Sequence, residues 1–600
     1  MRRSTLRLYA PFIALAMLQA AFVVVSPSKG ENPQTVFAGQ SALGAGDNAP
    51  LPVDDGTAAT TDTNAGGGAV DATGAPVVGG TGTTGGGSAG AAGGVRPAAG
   101  APGAPGTAGT TGGTAPGGAP SSGGSAAAAA GDTSHCKGTQ QSDVIFNTPP
   151  CAPKFVGNNG GVTYPGVTDK EILMVNFSCQ PNEQVNTILA SQGLAATEEE
   201  NAAMTNAALK YFNSTYEFYG RKMVWKRVIG DCPSAPDDPA KTRAAAAEVV
   251  KMKPFLVLSG VPVSGHDVWS QNGIISVGAP FQAAELYAGR RPYRWDIFPT
   301  GEEAADSIAE YYCKKLTGKP ASNAGSVIHP RIPGGRNAPR KLAIVTPDNG
   351  DGATLPAARR AKGLVKECTG GKEDPTIFTY ASDINRAEEQ TRVVVAGLIE
   401  NGATSVVCMC DPIAPTFLTK GMTQNSYFPE HIMPAGGLLD YDVLGRLYDN
   451  AQWTHAFGPS QLVNPVPFEQ SDQARIWKAA GNQGRPCDAC GLVTGYLVFM
   501  AGGIQQAGPN LNPLTFERGY VGAKYTRGGW KQTGGDPFIY LIKFGPGDYN
   551  AISDFREVYW DAAARSDIDG KPGAYVPIDG GRRYAAGELD GMFKVPAKPS

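Results

Sequence analysis

Four cysteines have the residue type and spacing that could do chemistry. Cys487 and Cys490 form a Cys-x-x-Cys motif, and Cys408 and Cys410 are separated by one residue. The Cys-x-x-Cys spacing is typical of thiol redox sites, and four thiolates could also bind zinc. An even total of 10 cysteines, in a chain with an export-type N-terminus, favours disulfides between the two segments over both alternatives. We therefore predict no catalytic cysteine and no metal site.

The other cysteines are also predicted to form disulfides. Their order along the chain suggests one small N-terminal loop, one link between two successive strands and one link between two helices. Other pairings stay open, because spacing does not determine connectivity. The expected pairs are Cys136 with Cys151, Cys179 with Cys232, and Cys313 with Cys368.

Other catalytic signals are weak. None of the 5 histidines stands in a metal-binding spacing such as His-Glu-x-x-His, and no strand-to-helix nucleophile elbow or phosphate-binding loop is recognisable. Four aspartates, Asp348, Asp351, Asp411 and Asp440, could supply a carboxylate pair for hydrolysis. We favour loop caps and ligand-facing acids, because nothing in the sequence sets their separation. The protein is predicted to be a non-enzyme without a cofactor.

Short apolar runs alternate with helical patterns through most of the chain. Such alternation is typical of βαβ units and a parallel sheet. Strands are expected at 171–177, 222–229, 254–258, 273–277, 341–346, 375–380, 404–410, 431–435 and 538–544. Helices are expected at 198–219, 238–251, 302–316, 355–368, 385–401, 472–480 and 491–506, with Gly402 as a C-cap.

The alternation falls into two blocks, which predict an α/β fold with two Rossmann-like lobes. The first lobe should comprise about 160–295 with part of 470–600, and the second about 300–465, within a two-lobe domain at 134–600. The chain is expected to cross back after 465, which makes a multi-strand hinge. Ligands of open parallel sheets bind outside the carboxyl ends of the strands, so the site should lie between the lobes.

The N-terminal part indicates export. Basic residues precede an apolar run at 10–25, which is shorter than the roughly 20 residues that span a membrane. Residues 1–38 are therefore predicted to be a cleaved signal peptide, with a signal anchor as the alternative. Residues 39–133 are rich in Gly, Ala, Thr and Pro and predict a disordered linker. We expect an extracytoplasmic protein that is secreted or tethered to the outer face of the membrane.

Charge indicates no macromolecular partner. The net charge is -3 and the pI is about 6.1, so the composition offers no basic surface for nucleic acid. The remaining expectation is a small-molecule partner.

Several segments carry a family resemblance in combination. Residues 166–174 read Gly-Val-Thr-Asp-Lys-Glu-Ile-Leu-Met, and residues 292–299 read Pro-Tyr-Arg-Trp-Asp-Ile-Phe-Pro. The first resembles the opening motif, and the second the interlobe crossover, of type 1 periplasmic solute-binding proteins. Segments 341–350 and 401–407 resemble two strands of the same family. Over about 163–559, the chain is similar to the leucine/isoleucine/valine- and amide-binding components of ABC importers.

The resemblance implies that loops after the strands bind the ligand. Carried over position by position, the implied ligand-binding residues are Ser178, Gln180, Gly260, Val261, Ser264, Gly278, Ala279, Asn349, Asp411, Asp440 and Tyr441.

One departure from the family affects the expected ligand. Where the family often has a small residue and a Thr that hold an amino-acid carboxylate, this chain has Ala279 and Pro280. Ala279 has no hydroxyl and Pro280 has no N–H, so the clamp is incomplete. The resemblance therefore implies a monomeric protein that captures a small polar ligand, such as an amino acid or an amide, for an ABC permease. The alternative is a ligand-sensing surface module that signals to a receptor partner without transport.

Overall fold

A computed structural model describes residues 131–234, 236–350, 352–521, 534–535 and 544–589. The predicted signal segment at 1–38 and almost all of the predicted linker lie outside these residues. Asp351 and most of the predicted strand at 538–544 also lie outside them.

The first lobe is built on a parallel sheet. Its strands follow the order β2-β1-β3-β4-β5, and every neighbouring pair is parallel. The successive connections from β1 to β2, from β2 to β3 and from β3 to β4 all contain helices, as parallel strands require. The strands are β1 (Glu171–Gln180), β2 (Lys222–Pro233), β3 (Leu256–Ser259), β4 (Ile275–Val277) and β5 (Arg294–Trp295).

The second lobe has a mixed sheet with the order β14-β13-β10-β9-β8-β6-β7, and β15 pairs with β13. Strands β6 to β10 are parallel, whereas β13 is antiparallel to β10 and β14. These strands are β6 (Leu342–Pro347), β7 (Thr376–Tyr380), β8 (Ser405–Cys408), β9 (Glu430–Ile432), β10 (Ala456–Ser460), β13 (Asp554–Arg565), β14 (Pro572–Pro577) and β15 (Arg583–Ala585). A short separate ladder joins β11 (Asn464–Pro465) and β12 (Gly534–Gly535).

Helices surround both sheets. Several begin with side-chain caps: Thr300 and Glu303 form a capping box, and Asp238 caps the helix that starts at Pro239. Gly402 ends another helix at a φ of 72°, as predicted. The helices are α1 (Glu183–Ala190), α2 (Glu198–Thr215), α3 (Pro239–Lys251), α4 (Val263–Gln271), α5 (Ala284–Ala288), α6 (Gly301–Tyr311), α7 (Leu355–Cys368), α8 (Ala387–Asn401), α9 (Ala414–Gln424), α10 (Asp442–Gly445), α11 (Asn450–Trp453), α12 (Asp472–Ala479), α13 (Gly491–Ala507) and α14 (Pro513–Tyr520).

The chain passes between the lobes more than once. It enters the second lobe after β5, and it returns to the first lobe with α12 to α14, where Phe516 packs on Phe255 and Trp295. It then re-enters the second sheet at β13. Asn550, on this last passage, donates to the Phe298 carbonyl on the first passage, at 2.6 Å. The predicted α/β architecture with two lobes and a hinge of several segments is confirmed, and the second sheet differs from the prediction in its antiparallel strands β13 to β15.

All 10 cysteines lie in the described ranges and are paired in disulfides. The predicted pairs Cys136–Cys151, Cys179–Cys232 and Cys313–Cys368 are present. The expectation of disulfides between the two remaining segments is wrong, because Cys408 bonds Cys410 and Cys487 bonds Cys490. The first pair ends β8 in the second lobe, whereas the second pair precedes α13, which packs against α2 of the first lobe. The two pairs therefore belong to different lobes.

Within the described ranges, no helix has both the length and the apolar character needed to cross a membrane.

Candidate ligand-binding cleft

A cavity of about 550 Å³ lies between the carboxyl ends of the two sheets. The first lobe contributes the segments after β3 and β4, and the second lobe contributes those after β6, β7, β8 and β9. The first turns of α7 and α13 complete the wall. This is the position at which open parallel sheets bind ligands, and the size is that of a small-molecule site.

Six of the implied ligand-binding residues line this cavity. They come from four different strand ends, which shows that the fold brings sequence-distant loops to one place. These residues are Gly260, Val261, Gly278, Ala279, Asn349 and Asp411.

The other implied residues lie elsewhere. Strand β1 continues to Gln180, because it pairs with β2 as far as Pro233, so Ser178 and Gln180 are part of the strand rather than of a following loop. Gln180 lines a separate shallow pocket. Ser264 lies in the first turn of α4 and is not part of the cavity wall.

Asp440 and Tyr441 are buried beside the cleft rather than in its wall. The Asp440 carboxylate accepts hydrogen bonds from the Ser460 hydroxyl at 2.8 Å and from the Leu462 amide at 3.2 Å. Burial raises the pKa of Asp440. Its Oδ2 atom accepts both bonds and therefore holds the segment that follows β10.

The turn after β4 forms much of the first wall. Gly278 has a φ of 107°, and a Cβ there would lie 2.4 Å from the Ser259 carbonyl oxygen, so only glycine fits between β3 and β4. Phe281 follows with a φ of 61°, which is unusual for an aromatic residue. Its ring lies 5.6 Å from that of Phe298.

Phe281 also reaches the second lobe. A Cβ on Gly436, after β9, would lie 3.1 Å from a ring carbon of Phe281. The ring therefore sits directly against the backbone of the opposite lobe, in the floor of the cleft. The sequence analysis did not identify Phe281, although its position beside the unusual Ala279-Pro280 pair was a signal.

Asp411 is the only charged residue among the described residues that line this cavity. Its carboxylate accepts hydrogen bonds from the Tyr380 hydroxyl at 2.6 Å and from the Ile413 and Ala414 amides at 3.0 Å each. It thereby caps the start of α9. Much of its accepting capacity is already used inside the protein.

Two amide side chains add polar groups to the wall. Asn349 accepts from the Ser382 amide at 2.9 Å, which fastens the loop after β6 to the loop after β7. Gln282 donates to the Pro280 carbonyl at 3.1 Å, and its Oε1 is buried without a partner among the described residues. Because this Oε1 has almost no accessible surface, a ligand donor reaches it only if the Gln282 side chain moves.

Lys, Arg and His are missing from the described part of this wall. Nearby arginines are engaged elsewhere: Arg294 binds Asp267 at 3.0 Å, and Arg291 binds Glu517 at 2.6 Å, both within the first lobe. An anionic ligand would therefore have no side-chain cation in the cleft.

Helix α13 contributes residues that the sequence analysis missed. Leu492 and Val493 line the cavity from the first turn, and Tyr496 donates from its hydroxyl to Asp296 at 3.1 Å. Asp296 lies on the first passage between the lobes and is fully buried, and this burial raises its pKa to about 7. The contact joins the cleft wall to the hinge.

The described residues do not provide the ligand set that a metal ion needs. In the parts of the chain that the structure covers, no group of three His, Cys, Asp or Glu side chains is arranged to hold a metal ion.

Several solved structures are similar to this chain. A solute-binding protein of an ABC transporter from Rhodopseudomonas palustris BisB5, in complex with 3,4-dihydroxy benzoic acid, shares 13% identity, with 69% of this chain and 98% of that chain covered and a TM-score of 0.47. A branched chain amino acid ABC transporter protein from Thermus thermophilus with bound valine shares 13% identity, with coverages of 70% and 97% and a TM-score of 0.46.

A third similar structure is the closed conformation of a leucine-, isoleucine-, valine-, threonine-, and alanine-binding protein from Brucella ovis. It shares 12% identity, with coverages of 72% and 99% and a TM-score of 0.46. No family model matches the chain, and no curated protein matches it in sequence.

Proposed function

We propose that this protein captures a small uncharged molecule between its two lobes, outside the cytoplasm, and presents it to an ABC permease. The observation that supports this function is the cleft itself. It lies at the strand ends of two sheets that are joined by several chain passages, the arrangement in which hinge closure can enclose a ligand.

The wall favours an uncharged ligand. Burying an unpaired charge in such a site is costly, and the described wall supplies no cation for an anion. Apolar side chains such as Val261, Phe281 and Leu438 make up most of the remaining surface. Asn349 and Gln282 are neutral amide residues of the wall, so we propose that the ligand carries an N–H or O–H donor, as an amide or an alcohol does.

The proposed ligand-binding residues combine those implied by the resemblance with those added by the structure. They are Gly260, Val261, Gly278, Ala279, Phe281, Gln282, Asn349, Asp411, Val493 and Tyr496.

The test is a thermal-shift screen of the full chain against neutral amides, alcohols, aromatic acids, amino acids, peptides and sugars. A ligand at 100 times its dissociation constant should stabilise the protein by roughly 2.7 kcal/mol. We expect neutral ligands to raise the melting temperature and charged analogues of the same size to be inactive. If no small molecule shifts melting, the capture function is wrong, and turnover of any tested compound would overturn the non-enzymatic assignment.

A matched pair of variants locates the binding. Val493→Asp places a carboxylate in the cleft, and its position in the first turn of α13 suits an acid because of the helix dipole. Val393→Asp makes the same change on α8 at a residue that is 70% exposed. We expect Val493→Asp to abolish the ligand-induced shift and Val393→Asp to retain it, whereas equal shifts would place the ligand elsewhere.

A further inference from the structure

A second cavity of about 240 Å³ adjoins the cleft. The two cavities have Ser382, Cys410 and Asp411 in common in their walls, so they meet at the loops after β7 and β8. We propose that this side chamber holds an apolar chain of the captured ligand, which makes the ligand an elongated molecule with a neutral polar end in the main cleft. This inference rests on the proposed function and adds the shape of the ligand.

The surface that the side chamber offers to a ligand is mainly apolar. Its walls include Val345, Val394, Phe417 and Leu418 from β6, α8 and α9. A hydrocarbon chain suits such a surface, because burying it removes apolar area from water.

The polar groups of the side chamber are largely satisfied by the protein. Gln390 accepts from the Ala381 amide at 2.6 Å and donates to the Ala381 carbonyl at 3.0 Å. Asp383 accepts from the Asn385 amide at 3.0 Å, and Asp411 is engaged as described above. These groups have partners without a ligand, so the chamber does not require a polar occupant.

Both lobes close the side chamber. Val185 of α1 and Ser234 after β2 belong to the first lobe, whereas the rest of the wall belongs to the second. A chain in this position would contact both lobes, so its burial would contribute to closure as well as to affinity. The volume corresponds to roughly eight waters, enough for a chain of roughly six to eight carbons.

The experiment uses straight-chain primary amides of increasing length, and the carboxylates of equal length as the charged series. Each methylene that enters the chamber should tighten binding about fourfold, until the chamber is full and the gain stops. Isothermal titration with the full chain measures this length dependence.

A matched pair of variants tests the location. Ala387 lines the side chamber, and Ala396 lies on the same helix α8 with its side chain exposed. We expect Ala387→Phe to stop the gain at a shorter chain while the affinity for the shortest amide is unchanged, and Ala396→Phe to behave like the unmodified protein. Ala387→Leu, a smaller change, should give an intermediate limit and replaces the Phe variant if that variant does not fold.

The outcomes separate the two proposals. A length dependence that is identical in Ala387→Phe and Ala396→Phe overturns the side-chamber inference but leaves capture in the cleft intact. Binding of some other compound class in the screen, with no gain along the amide series, also overturns the inference alone. Failure of every compound to bind overturns both.

Discussion

The interior of the second lobe and the cleft beside it differ in how they use charge. In the interior, Arg340 binds Glu430, Lys315 binds Glu557 and Arg583 binds Asp554, and the side chains of these pairs are at most 3% exposed. In the cleft, the described wall has one carboxylate and no cation.

The difference shows that the buried charges of the second lobe pair with one another inside the lobe rather than facing the cleft. A buried ion pair costs desolvation on both partners, and it is retained only where each charge has its counterpart and further hydrogen bonds. The cleft contains no such counterpart for an anionic ligand. Under the proposed function, the ligand would be selected by shape, apolar contact and a few neutral polar groups.

The largest effect is expected from breaking an interior pair. Arg340→Met leaves Glu430 with hydrogen bonds from Ser405 at 2.6 Å and from the Asn323 amide at 2.9 Å, but without its cation. We expect the free energy of unfolding to fall by about 3 to 5 kcal/mol, as for other buried pairs that lose one partner. Urea unfolding followed by circular dichroism measures the change.

The control for this prediction is the double variant in which Glu430→Met is added to Arg340→Met. It removes both charges and should recover a large part of the lost stability. A single variant that loses less than about 1 kcal/mol would show that the interior pairs are as weak as surface pairs.

An effect of comparable size at neutral pH, but one that vanishes at low pH, is expected at Asp296. Its folded pKa of about 7 lies above the ordinary value of 3.8, so the unfolded chain releases this proton at lower pH than the folded protein does. The carboxyl therefore costs no stability below about pH 4, costs progressively more up to about pH 7, and carries its full cost above that. Asp296→Asn removes this cost, so its stability relative to the unmodified protein should rise between pH 4 and 7, by up to about 1.4 kcal/mol per pH unit.

Unfolding of both proteins over this pH range checks the prediction. Glu303, whose pKa burial also raises to about 7, is present in both proteins, and its contribution cancels in the difference. The buried His266 and His431, with pKa values lowered to about 3 and about 4 by burial, cancel in the same way. A stability difference that is constant with pH would contradict the burial of Asp296.

The smallest effect is expected at an exposed pair in the first lobe. Arg227 binds Glu198 at 2.8 Å, with side chains that are 33% and 56% exposed. Arg227→Met should change the free energy of unfolding by less than about 1 kcal/mol, because water screens such pairs. The same urea titration applies, and a loss as large as that of Arg340→Met would remove the distinction between interior and surface pairs.

Much of the fold could be predicted from the sequence because its signals are local. The fully buried runs of β6 and β8, and the C-cap at Gly402, depend on residues within a few positions of one another. Strand ends were less certain: β1 extends to Gln180, and this moved Ser178 and Gln180 out of the expected loop.

The cleft could be predicted only in part. Gly260, Gly278 and Asp411 were implied by the family resemblance, and each of them lines the cavity. Phe281 and Tyr496 were missed. Phe281 has an unusual backbone angle, and Tyr496 belongs to a helix, 200 positions after Asp296 of the hinge.

By itself, the sequence determined the α/β alternation and the two lobes, since apolar periodicity and strand order report which residues are buried. It suggested three of the disulfide pairs but did not determine them, because spacing leaves connectivity open. Only the tertiary structure decided what the cleft contains. The pairing of the cations inside the lobes, the neutral amide residues Asn349 and Gln282 in one wall and the side chamber beside Asp411 all depend on segments distant in sequence. Periodicity shows that a residue is buried, but it does not show which residues from elsewhere in the chain lie against it.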